Sequence, residues 1–240
     1  MQNQPKVKYK NLGIINYKDA WDYQEKLFAD VIQQKMVLRE TTQPLVKSIQ
    51  TTDHYLLMCE HSNVYTLGKS GHENNLLIND NFLQSINATY FKINRGGDIT
   101  YHGPGQIVGY PILNLDDFFT DIHKYLRLLE EVIILTLAEY GIVADRFPKY
   151  TGVWIKPGVA GEERKICAMG VRCSRWVTMH GWALNVNTDL SYFNHIVPCG
   201  IVDKQVTSIE KELGYKVSMQ EVEQKIKKHF SDVFECSLVS

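Results

Sequence analysis

The chain has 240 residues, 44% hydrophobic and 22% charged, with a formal net charge of -1. That balance supports a core of ordinary size and gives no reason to expect nucleic acid or an anionic membrane as a partner. There is no apolar run of about 18 residues, and Met1-Gln2-Asn3-Gln4-Pro5 lacks a signal-peptide core. The five cysteines are irregularly spaced and form no CxxC pair, so neither a disulfide framework nor a zinc site is expected, and a reducing cytoplasm is the natural compartment.

In chain order, Val7 to Tyr17 reads as a strand. Tyr17 to Val37 reads as a helix, because Ala20, Trp21, Gln24, Leu27, Phe28, Val31 and Ile32 recur at helical spacing while Asp22, Glu25, Lys26 and Gln33 face out. Thr41 to Asp53 is polar and reads as a loop. Tyr55 to Glu60 and Val64 to Gly68 follow as strands, and Lys69 to Leu76 as a second loop, either a cover for a site or a solvated connection. Tyr90 to Asn94 and Ile107 to Ile112 are strand-like. Asp121 to Tyr140 predicts a helix stopped by Gly141. Gly152 to Ile155, Lys165 to Cys173, Trp176 to Met179 and Trp182 to Val186 read as strands. Ser218-Met219-Gln220-Glu221 is a capping box opening a last helix to about Phe234. There are no repeats or composition breaks, so residues 1–240 read as one domain. Strands outnumber helices and are often joined by short turns, which favours an α+β fold with mixed or antiparallel sheets flanked by helices.

Two stretches carry chemistry. Arg95 to Gln106 holds four glycines and a proline in twelve residues. Glycine lets a ligand approach the main chain closely, but no glycine-lysine-serine or glycine-lysine-threonine follows and no helix starts here, so this is not a phosphate cradle. Two strands meeting at a glycine bend suit it better. Arg95 at the entrance of this stretch suits a phosphate or carboxylate, and His102 suits orienting a reacting group or donating a hydrogen bond.

The second stretch runs from Lys165 to Gly200. Cys199 lies between Pro198, which removes a backbone donor, and Gly200, which lets a carbonyl approach, a setting that suits a nucleophile. A free thiol with a pKa near 8.5 is only about 3% thiolate at pH 7. A lysine about 4 Å away contributes on the order of 4 kcal/mol at an effective dielectric near 20, and half of that makes thiolate the main form. Cys59, Cys167, Cys173 and Cys236 read as small buried hydrophobes. Spacing alone leaves Lys165 a solvated surface lysine beside Glu162, Glu163 and Arg164.

These blocks together resemble the lipoyl(octanoyl) transferase family, the octanoyl-acyl-carrier-protein:protein N-octanoyltransferases. The resemblance covers about Leu12 to Leu213. It is carried by Val64-Tyr65-Thr66-Leu67-Gly68, the Arg95 to Gln106 block, Tyr150-Thr151-Gly152-Val153-Trp154, Lys165-Ile166 with Ala168-Met169-Gly170, Gly181 to Val186, Asp189-Leu190 and Pro198-Cys199-Gly200. It implies a fold like the catalytic domain of biotin and lipoate protein ligases. It also implies an acyl-enzyme on Cys199, with Lys165 lowering the thiol pKa and later taking a proton from the incoming amine. By the same match Arg95, Gly96, Gly97, Asp98, Ile99, Thr100, Tyr101, His102, Ala168, Met169, Gly170, Gly181, Trp182 and Ala183 line the acyl pocket.

The implied donor is octanoyl-acyl-carrier protein. The implied acceptors are lipoyl domains of 2-oxoacid dehydrogenase complexes and the glycine cleavage H protein, with no cofactor and no metal. Cys167 stands where a small residue such as alanine is common and is expected to be tolerated but open to oxidation. Trp182 is bulkier than many residues at its position and is expected to alter the pocket. Three other readings remain: an ATP-dependent lipoate or biotin ligase of the same fold, a Cys–His hydrolase using His180 or His102, and a non-catalytic acyl-binding protein.

Overall fold

A computed structural model describes residues 4–40, 52–197 and 205–240. The reading of Thr41 to Asp53 as a loop therefore lies almost wholly outside the described residues, as does Pro198-Cys199-Gly200. Strand β1 (Lys6–Ile15) leads into helix α1 (Tyr17–Glu40), then β2 (Tyr55–His61), β3 (Val64–Leu67), a short α2 (Asp80–Ser85), β4 (Thr89–Lys92), β5 (Ile99–His102) and β6 (Gln106–Ile112). Next come α3 (Ile122–Ala138), β7 (Ala144–Phe147), β8 (Tyr150–Ile155), β9 (Arg164–Ser174) and β10 (Val177–Asn185). The chain ends with β11 (Gln205–Val206), α4 (Ile209–Leu213), α5 (Met219–Val233) and β12 (Ser237–Val239).

The large sheet runs β12-β1-β2-β6-β10-β9-β8-β7, with β11 paired to β9; a second sheet is β4-β3-β5. Both are mixed: β1 is parallel to β2 and β12, whereas β2, β6, β10, β9, β8 and β7 follow one another antiparallel. The architecture is the α+β arrangement that the strand and helix pattern predicts.

Helix ends follow their caps. Asp121 accepts from the amides of His123 and Lys124 at the start of α3, and Gly141 beyond its end is left-handed at φ 73°. Ser218 accepts from the Glu221 amide at the start of α5. Residues 176–179 and 182–186, expected as two strands, fall largely in the single strand β10. Gly181 stays in the ladder opposite Gly170, and Trp176 belongs to the turn before it. That turn is Arg175-Trp176, both at positive φ (51° and 62°), which matches the right-handed twist of the flanking strands without the usual asparagine or glycine.

Helices α3 and α5 cover one face of the large sheet. Leu129, Val132, Ile133, Val222, Ile226 and Phe230 bury there against Ile166, Trp182 and Leu184. Helix α1 covers part of the other face, where Ala20, Leu27, Phe28 and Val31 meet Val108, Tyr110, Met179 and Ala183. The remainder of that second face looks toward the small sheet, and a cavity lies there.

Candidate active site

The cavity is about 350 Å³ in volume. Its floor is built from small residues at matched positions of neighbouring strands. Gly170 pairs with Gly181 across β9 and β10, Ala168 pairs with Ala183, and Ala183 pairs with Val108 of β6. All five line the cavity. No large side chain stands on these positions to fill the space, and at Gly170 the glycine-rich stretch comes so close that a Cβ would meet the Gly96 carbonyl oxygen at 2.6 Å.

Lys165 reaches this face through a β-bulge. Val153 of β8 pairs with Cys167, but the next residue, Trp154, pairs with Lys165, so Ile166 has no partner of its own. Strict alternation would put Lys165 and Cys167 on one face. Instead Ile166 and Cys167 both enter the core, while Lys165 and Ala168 both line the cavity. The Lys165 ammonium lies 4.7 Å from the centroid of the Trp154 ring. Gly152 permits this packing: at φ 120°, a Cβ there would meet the Cys167 carbonyl oxygen at 2.5 Å.

A chain of hydrogen bonds forms the opposite wall. Arg95, 8% exposed, donates Nη2 to the Thr66 carbonyl (2.8 Å) and hydroxyl (3.0 Å), and Nη1 to the Gly96 carbonyl (3.0 Å). The Thr66 hydroxyl is 3.3 Å from His102 Nε2, and His102 Nδ1 is 2.8 Å from Gln106 Oε1. Gln106 Nε2 donates to Asn185 Oδ1, whose own amide donates to the Thr207 carbonyl. Since Gln106 Oε1 only accepts, His102 carries its proton on Nδ1, and Nε2 accepts from Thr66. Burial, with nearby cationic groups adding to it, lowers the His102 pKa to about 3, so the ring is neutral.

His180 also lines the cavity, at a left-handed φ of 59° inside β10. Its amide donates to Gln24 Oε1, and its Nε2 lies 3.3 Å from Asn94 Oδ1. Burial holds its pKa at about 3.

Of the residues the resemblance points to, Lys165, Arg95, Gly97, Asp98, Ile99, Thr100, His102, Ala168, Met169, Gly170, Gly181, Trp182 and Ala183 line the cavity. Gly96 and Tyr101 do not. Gly96 instead docks the glycine-rich stretch onto β9, its amide donating to the Val171 carbonyl at 2.9 Å. Tyr101 faces the other way, stacked on Tyr192 at 4.8 Å and donating to Asn63. The guanidinium of Arg95 braces the wall from inside through its bonds to Thr66 and Gly96. The proton of His102 is directed to Gln106.

Cys199 lies outside the described residues. The residues on either side are placed: the Val197 amide donates to the Asn75 carbonyl, and Val206 lines the cavity and pairs with Lys165. Trp182 packs its indole over Gly109 and toward Phe230 at 6.3 Å, so its bulk is taken up in the core. Cys167 is fully buried, and burial raises its thiol pKa, which disfavours the thiolate.

The sequence matches the lipoyl protein ligase A/B catalytic domain over residues 16–231. It is 58% identical over 233 residues to an octanoyltransferase of Christiangramia forsetii, covering 97% of each chain. It is 50% identical to an octanoyltransferase of Bacteroides thetaiotaomicron, covering 89% of each. The chain belongs to the octanoyltransferase family of lipoyl protein ligase A/B catalytic domains. Among solved structures, the fold resembles a bipartite lipoate protein ligase of Thermoplasma acidophilum (TM-score 0.69, 15% identity, covering 99% of this chain and 87% of that one). It also resembles a lipoate-protein ligase A bound with ATP (TM-score 0.67, 15% identity, covering 99% and 88%).

Several cavity residues of this octanoyltransferase-family chain carry no local signal in sequence. Tyr17, Tyr110 and Phe193 read as ordinary core aromatics, yet they line the cavity from three distant elements. Tyr17 stacks on His102 with centroids 5.8 Å apart. Tyr150 and Thr151, also lining residues, could have been found from their place in the Tyr150 to Trp154 motif.

Proposed function

We propose that this protein transfers an octanoyl group from octanoyl-acyl-carrier protein to a lysine of a lipoyl domain through a thioester on Cys199. The observation that carries the reading is near full-length identity of 58% to a protein named octanoyltransferase. The cavity agrees with it: a floor of alanines and glycines with Lys165 beside it suits a short acyl chain ending in a reactive carbonyl.

In the first half-reaction the Cys199 thiolate attacks the donor thioester carbonyl. A C–S bond forms to Cys199, the C–S bond to the carrier breaks, and the departing carrier thiolate takes a proton from the Lys165 ammonium. Exchange of one thioester for another is nearly balanced, so no ATP is needed. In the second half-reaction the acceptor lysine attacks as the neutral amine. As the C–N bond forms, Lys165 takes the amine proton, and Cys199 leaves as thiolate, which restores the original ion pair. Amide formation from a thioester is downhill and drives the cycle. The whole chain serves as one catalytic domain in this reading. The acceptors are lipoyl domains of 2-oxoacid dehydrogenase complexes and the glycine cleavage H protein.

A second reading is ATP-dependent ligation, favoured by the likeness in fold to a lipoate-protein ligase bound with ATP. A Cys–His hydrolase built on His102 or His180 is disfavoured, because both rings are buried and their pKa values are lowered to about 3. The test is transfer by Cys199→Ala protein to an apo lipoyl domain. Loss of transfer from the octanoyl carrier supports the thioester route. Modification driven by free octanoate and ATP, undiminished by Cys199→Ala, supports the ligase.

A further inference from the structure

We infer that Asn75 is a positioning residue for the reaction, tying the cavity wall at Asp98 to Val197, two residues before Cys199. The inference rests on the acyl-transfer reading above. The sequence left Lys69 to Leu76 open between a cover and a solvated connection, and the hydrogen bonds make it a strap. The amides of Gly68, Lys69 and Ser70 donate to the carbonyls of Asp98, Arg95 and Gly97. A short 3₁₀ turn, Glu73–Asn75, then brings Asn75 over the same stretch.

Asn75 makes two kinds of contact there. Its Nδ2 donates to Asp98 Oδ1 and Oδ2 at 2.9 and 2.7 Å, and Asp98 Oδ1 also accepts from the Ile99 amide at 2.6 Å. Its carbonyl accepts from the Val197 amide at 2.8 Å. The next residues continue the junction: Leu76 bridges to Ile196, and the Leu77 amide donates to the His195 carbonyl at 2.9 Å. Gly71 leaves room for the carboxylate, since a Cβ there would come within 2.4 Å of Asp98 Oδ1.

Asp98 lines the cavity. One side chain and one carbonyl of a single residue therefore link the wall that receives the acyl group to the segment that delivers the nucleophile. On the far side, Val206 pairs directly with Lys165. Catalysis through an attacking sulfur depends steeply on placement: an error of about 1 Å can cost on the order of 100-fold in rate.

Exchange of the partners tests the role. Asn75→Asp removes the donor and sets two carboxylates against each other, which repel wherever both are ionised, so acylation and exchange are read at pH 8. Asp98→Asn in the same chain restores a donor and an acceptor with the roles reversed. Asn75→Ala removes the side-chain tie but keeps the carbonyl. Single-turnover acylation by octanoyl-carrier protein is read by intact mass, and protection of the Val197 amide by hydrogen exchange.

Asn75→Asp is expected to slow acylation by about tenfold or more and to weaken Val197 protection. Asn75→Ala is expected to fall between it and wild type, and the Asn75→Asp/Asp98→Asn double variant to recover both readouts. Acylation by Asn75→Asp at the wild-type rate, or a double variant no better than Asn75→Asp, overturns the inference. A wild-type protein that never acylates overturns the acyl-transfer reading instead, and the strap then stands or falls on Val197 protection alone.

Discussion

Strands β9 and β10 present two faces of opposite construction. On one, Ile166, Cys167, Trp182 and Leu184 are buried to within 2% of full exclusion and pack against α3 and α5. On the other, Ala168, Gly170, Gly181 and Ala183 leave a cavity beneath a wall of hydrogen-bonded polar groups. The same two strands thus supply stability on one side and room for a ligand on the other. The bulge at Lys165 breaks the alternation, and it moves a cation to the open side while Ile166 stays in the core. His180, on the cavity side, holds a left-handed φ of 59° with its amide donating to Gln24 Oε1 of α1.

Changes on the packed face should break stability first. Leu184→Ala removes a fully buried side chain from the α3–α5 side and is expected to cost about 2–5 kcal/mol in urea unfolding. Ile166→Ala should fall in the same range of about 2–5 kcal/mol, because the bulge puts Ile166 in the core and not on the cavity side. A cost below about 0.5 kcal/mol for either would mean that the two faces are not divided in this way.

A change on the open face should act on the substrate instead. Ala183→Leu fills the floor next to Ala168 and Val108. It is expected to reduce octanoyl transfer about tenfold or more while sparing a shorter acyl donor, at a stability cost of about 1–3 kcal/mol or less. Unchanged discrimination between chain lengths would show that this floor does not hold the acyl group.

The smallest effect is graded with pH. His61, His102 and His180 are buried with pKa values lowered to about 4, 3 and 3, chiefly by desolvation. Their unfolded value is near 6.5, so between those limits the unfolded chain binds more protons than the folded one. The stability that these neutral rings permit is complete above about pH 6.5 and declines as pH falls toward 3–4, on the order of 1 kcal/mol per pH unit for each ring. Replacing His61, which accepts from the Tyr110 hydroxyl at 2.7 Å, with Gln should flatten the acid limb of a stability–pH curve. An unchanged slope would show that His61 is not held neutral.

Much of the scaffold is legible in sequence because its signals are local. Helix α1 follows its 3.6-residue period, α3 its Asp121 and Gly141 ends, and α5 its Ser218 cap. Short edge elements are not legible: β12 has three residues and exists only by pairing with β1, and the polar β7 only by pairing with β8. The Arg175-Trp176 turn escapes notice because neither residue is one that such turns favour. At the cavity, the glycine-rich stretch and Lys165 stand out through long ordered motifs. The bulge that aims Lys165 is a property of pairing with β8, which alternation along β9 cannot reveal. Asn75 is a polar residue in a loop until its partners, 23 positions away at Asp98 and farther still at Val197, are in place.

The most direct test is the intact mass of the protein after mixing with octanoyl-acyl-carrier protein. The account predicts a gain of one octanoyl group on Cys199, absent in Cys199→Ala and lost when an apo lipoyl domain is added, with that domain gaining the same mass. A lipoyl domain modified at full rate by Cys199→Ala protein, with no mass ever gained by the wild-type enzyme, would contradict it.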